Sequence, residues 1–125
     1  MTPFEKVEKN VRQLGDIIEK NLKVMTDPKV SELRAVFQGV ALVVRGRNLQ
    51  VRICKSLGLS QEVHPHSLED FHLLIETMEG KGSNAADKLK KLLPDIQKMI
   101  DAVEAADATG RPFQAVRACR KAANP

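Results

Sequence analysis

The side chains best suited to chemistry in this 125-residue chain are a histidine cluster, two basic blocks and two separated cysteines. All three histidines fall together, as His64, His66 and His72, with Glu69 and Asp70 between the last two. His64-Pro65-His66 could offer two imidazoles to a metal, and Glu69 would sit one helical turn from His72. A carboxylate-bridged di-iron bundle needs a second Glu-x-x-His from another helix, and no histidine remains to supply it. A surface zinc ion held by His64, His66 and one further ligand is all the cluster could still build. Solvated histidines are the default expectation, with no metal and no cofactor.

The basic blocks are longer. No acid lies between Leu33 and Gln61, while Arg34, Arg45, Arg47, Arg52 and Lys55 do. None lies beyond Ala108 either, where Arg111, Arg117, Arg120 and Lys121 are found. If both blocks share one side of the fold, they could neutralise several phosphates. The alternative is internal pairing with Glu5, Glu8, Asp16 and Glu19, or with Asp95, Asp101, Glu104 and Asp107. A net charge of +4 and a pI near 9.2 permit an anionic partner without demanding one. Four Phe, no Trp and no Tyr disfavour recognition by base stacking.

Catalytic signatures are absent: there is no Gly-rich phosphate loop, no GxSxG elbow and no cysteine in a nucleophile's context. An anion-handling enzyme built on Arg45, Arg47 and Arg52 would need a carboxylate or histidine facing that stripe, which spacing cannot show. The expectation is a protein without enzymatic activity. Cys54 and Cys119 form no CxxC pair and no disulfide framework; they read as buried thiols of a reducing compartment. With no signal-peptide pattern and no apolar run near the roughly 20 residues a membrane span needs, the expected location is cytoplasmic, without membrane insertion.

The elements that must position these groups read as helices throughout. Thr2-Pro3-Phe4-Glu5 is a helix start with a cap, Pro at the first helical position and a Glu for a capping box. Phe4, Val7, Val11, Leu14, Ile18, Leu22 and Met25 then follow at alternating spacings of three and four, a narrow heptad-like seam. The first five are candidate interface residues. A second helix is expected over 28–57, capped by Asp27, opened by Pro28 and stopped by Gly58.

That second helix carries two apolar faces at about 100° per residue. One holds Leu33, Val36, Phe37, Val40, Val43, Val44, Val51 and Cys54. The other holds Ala35, Leu42, Leu49 and Ile53, with Gly39 and Gly46 beside them. A helix apolar on two sides is expected at the centre of its domain. Gly46 and the inward-pointing Arg47 are its weak point, although a continuous helix is expected. A helix-turn-helix reading fits residues 53–59 and fails afterwards, because His64 takes an apolar position and Pro65 breaks the recognition helix.

Three more helices follow, over 67–79 capped by Ser67, 85–109 capped by Asn84 with a kink at Pro94, and 112–123 opened by Pro112. At 42% hydrophobic and 29% charged residues, the chain suits one globular domain over 1–125. The expected fold is an all-α bundle of four to five mostly antiparallel helices with a long central second helix. The expected function is a non-enzymatic protein–protein interaction or assembly module, self-association included. The alternative is a basic nucleic-acid-binding protein that contacts the phosphate backbone through its Arg and Lys patches.

Overall fold

In the computed structural model, residues 1–59 and 68–125 are described, and they form five α-helices and no strand. The first helix, α1 (Pro3–Thr26), begins where the sequence places its cap. Thr2 Oγ1 accepts from Glu5 N at 3.1 Å, and Pro3 takes the position that needs no donor. The second, α2, runs Glu32–Leu57, four residues shorter at its start than the Asp27-Pro28 signal predicts. Asp27 is already committed as the C-cap of α1, its N–H donating to Lys23 O. Its carboxylate accepts from Lys29 N at 2.9 Å, which makes a turn through Pro28. The cap of α2 therefore passes to Ser31, whose Oγ accepts from Arg34 N. At the far end Gly58 is left-handed at φ 70, the conformation that favours glycine after a helix.

Pairing of α1 with α2 follows from glycine. A Cβ on Gly39 would meet Met25 Sδ at 3.3 Å and Asn21 Oδ1 at 3.5 Å. One on Gly46 would meet Ile17 Cγ2 at 3.7 Å and Leu14 Cδ1 at 3.8 Å. Advancing seven residues on α2 moves the contact back along α1, so the two helices are antiparallel. α2 is continuous through Gly46.

The remaining helices are α3 (Glu69–Gly80), α4 (Asp87–Ala105) and α5 (Pro112–Ala123). α4 packs on α1 and α5, α5 also on α1 and α2, and α3 lies against α4. The core joins Val11, Leu14, Ile53, Leu74, Met78, Leu89 and Val116, so every helix contributes to it. α4 starts later than its expected cap, because Asn84 Oδ1 accepts from Arg12 instead and Ser83 Oγ accepts from Ala85 N. Ser83 also donates to Glu8 at 2.7 Å, fixing that turn to α1. α4 runs unbroken across Pro94. Among the described residues no helix is long and apolar enough to cross a membrane.

Candidate interaction surface and groove

The two apolar faces of α2 are not both enclosed. Ala35, Leu42, Leu49 and Ile53 are buried, with Gly39 and Gly46 closing the same face against α1. On the opposite side Leu33 is 56%, Phe37 68%, Val40 53%, Val43 41% and Val44 51% exposed. Leu33, Phe37, Val40 and Val44 follow one another at spacings of four, three and four. They form a single line along about three turns, directly opposite the buried face. The two faces differ in outcome: the face of small residues lies against α1, and the face of large ones is open.

The α1 seam has the reverse outcome. Val7, Val11 and Leu14 are buried, and Phe4 and Ile18 are half-buried against the core. These candidate interface residues are therefore taken up inside the chain, since α2, α4 and α5 all pack on α1. Phe113, in the first turn of α5, is 41% exposed.

The basic blocks do not form one patch. Arg34, Arg45 and Arg52 are exposed and lie along one edge of the open α2 stripe, about 16 and 10 Å apart by helical rise. Glu32 lies on the other edge, where Arg117 of α5 holds it with Nε and Nη2 donating to its two carboxylate oxygens at 3.0 Å each. That forked bond holds the Glu32 carboxyl below the usual carboxylate range. Arg120 is half-buried, with Nε and Nη2 out of water and without a hydrogen-bond partner among the described residues. Lys55 and Lys121 are exposed.

Among the described residues none of the expected acids pairs with the basic blocks, and the one paired member, Arg117, meets Glu32 instead. The acids of α1 serve α4 instead, with Lys88 bonded to Asp16 at 2.6 Å and to Glu19 at 3.4 Å. The Asp16 carboxylate holds the Lys88 ammonium above its ordinary range. Among the described residues no ion pair involves Arg34, Arg45, Arg47, Arg52, Lys55, Arg111 or Lys121.

One member of each block does meet the other at a common feature. Arg47 and Arg111 both border a groove of about 430 Å³ among the helices. Its walls are mostly aliphatic. α4 fully buries only Leu89, near its start, while Ile96, Met99, Ile100 and Val103 in its second half stay half-buried along the groove. Cys119 also lines it, and burial pushes both the Cys119 and Cys54 thiols up from their ordinary range. Both cysteines are free and buried, in keeping with their spacing.

The histidine cluster is described only in part. His72 is exposed on α3, and His64 and His66 lie outside the described residues, as do Ser67 and the Ser60-Gln61-Glu62 start of a recognition helix. Among the described residues no group of three or more His, Cys, Asp or Glu side chains could hold a metal. Sequence reasoning missed the groove. It located both faces of α2 without choosing between them, although Gly39 and Gly46, seven residues apart, were the signal for which face would pack closely. No family model matches this chain, and no curated protein or solved structure matches it.

Proposed function

We propose that this protein is a non-enzymatic helical interaction module that docks a partner on the outer face of α2. One observation carries the reading: five large apolar side chains stand exposed on consecutive turns of the longest helix. Grouped apolar exposure of this kind marks interaction surfaces, whereas scattered exposure does not. The stripe has the i, i+4, i+7, i+11 spacing that a facing helix reads.

The Arg34–Arg45–Arg52 edge narrows the partner. An antiparallel second copy would lay this edge against its own equivalent, and like charges at an interface cost affinity. A helix with an apolar stripe and an acidic flank has no such conflict. The accompanying location is a reducing, cytoplasmic one, where Cys54 and Cys119 stay as thiols.

The test uses Phe37→Asp, a change at the most exposed of these residues. Affinity capture and light scattering on the wild-type chain should detect a partner or a larger species, and Phe37→Asp should lose it with an unchanged thermal melt. A wild-type chain that is a clean monomer and captures no partner lost by Phe37→Asp would end this reading.

The unpaired Arg edge also supports a second one, in which the chain binds the nucleic-acid backbone. Anisotropy titrations with duplex and single-stranded DNA and RNA at about 50 and 200 mM salt would then show tight binding that collapses with salt. Charge reversal at Arg45 and Arg52 would abolish it; an affinity indifferent to that reversal removes this alternative.

A further inference from the structure

The groove bordered by Arg47 and Arg111 meets the α2 stripe at Val43 alone, and its chemistry points elsewhere. Its volume of about 430 Å³ falls within the range of small-molecule sites. Leu22 and Met25 of α1 and Met99 and Ile100 of α4 give it apolar walls. Methionine at two of those positions gives walls that adapt to an elongated apolar body.

Three charged residues are found among the described lining residues: Arg47, Arg111 and Asp70. Asp70 is already engaged in an interaction, whereas no acid pairs with either arginine among the described residues. Among the described residues the Arg111 side chain makes one hydrogen bond, a long one of 3.5 Å to Gln114. An apolar slot with two unpaired guanidinium groups at its border is complementary to a molecule with an apolar tail and a negative head.

We infer that this groove binds a single-chain anionic amphiphile, a free fatty carboxylate, with its chain between α1 and α4 and its head between Arg47 and Arg111. No covalent step is involved. The groove shares Val43 with the α2 docking surface and Arg47 continues that line, but Leu33, Phe37, Val40 and Val44 do not line the groove, so the two surfaces are separable by experiment.

Dodecanoate, below its micelle-forming concentration, is the probe. Calorimetric titration of the full chain should give saturable one-to-one binding, with methyl resonances of Met25 and Met99 shifting and those of Val40 and Val44 unmoved. The exposed pair Arg47→Ala and Arg111→Ala, combined, should weaken dodecanoate at least tenfold and leave the thermal melt unchanged. Dodecyltrimethylammonium, with the same tail and the opposite charge, should bind the wild-type chain at least tenfold more weakly than dodecanoate.

Four results would overturn the proposal. They are no saturable binding, equal affinity for the two amphiphiles with no loss in the double variant, shifts confined to the α2 stripe, or binding to phosphatidylglycerol vesicles without binding to dodecanoate. None of them bears on a partner lost by Phe37→Asp, so the two readings stand or fall separately.

Discussion

The inner and outer faces of α2 are both apolar, and only one of them is buried. The inner face carries Ala35, Gly39, Leu42, Gly46, Leu49 and Ile53, and α1 approaches close enough that a Cβ on Gly39 would be 3.3 Å from Met25 Sδ. The outer face carries Leu33, Phe37, Val40, Val43 and Val44, which offer more hydrophobic surface and stay in water. Hydrophobicity alone would have reversed that choice. Close approach of two helices brings many weak atom–atom attractions into range at once. A ridge containing two glycines permits that approach, whereas branched side chains on successive turns hold a neighbour further away. Shape selects which face lies inside the chain, and the face left over is the larger one.

The strongest test of this contrast compares truncations on the two faces. Ile53 is fully buried, so Ile53→Ala should destabilise the chain by about 2–5 kcal/mol. The same truncation at exposed Phe37 should change the stability of the isolated chain by no more than about 0.5 kcal/mol. Urea unfolding measures both, and comparable losses would show that the outer face is covered within the monomer. A smaller effect of opposite sign is expected at Gly46→Ala. There the new methyl meets Ile17 and Leu14 at ordinary contact distance and the helix gains about 0.5–1 kcal/mol of propensity, read as a raised urea midpoint. Gly39→Ala should gain less, because Met25 must shift to admit it.

The smallest effect concerns the edge of the outer face. Arg117 lowers the Glu32 pKa, so the bond stabilises the fold above the ordinary Glu value of about 4.3. That contribution is lost as pH falls through the lowered value. Wild type should therefore exceed Glu32→Gln slightly in urea midpoint near about pH 7 and converge with it by about pH 2. Added salt should shrink the difference, since the pair is solvent-exposed. A gap that persists in strong acid would mean that the fork contributes through packing and not charge.

Much of this arrangement is legible from local chemistry. Thr2-Pro3, Gly58 and Pro112 mark helix ends at the positions where the structure has them. The Asp27-Pro28 signal misleads because two capping residues stand four apart, and Asp27 is taken by the preceding helix. Periodicity located both faces of α2 and was silent on which one pairs, because a helical wheel carries no information about a neighbour's distance. The α1 seam was recognised as a packing line, but whether its partner is internal depends on three other helices converging on it. The groove is the least legible feature. It depends on how the second half of α4 sits relative to α1, a tertiary outcome that leaves Met99 and Ile100 half-buried in spite of their regular spacing.

The short connection through Asp27 and Ser31 has a kinetic consequence. Contacts between α1 and α2 close over few residues, whereas α5 is tied back through Asn124 to Thr26, 98 residues away, and through Arg117 to Glu32, 85 residues away. Local contacts form fast and distant ones late. As the chain leaves the ribosome, the first hairpin can assemble well before α5 has been synthesised, with the Phe37 stripe and the unfinished side of α1 both facing water. For that interval a nascent chain would display more apolar surface than the finished protein does, and a factor that sequesters unfolded segments would meet it there first.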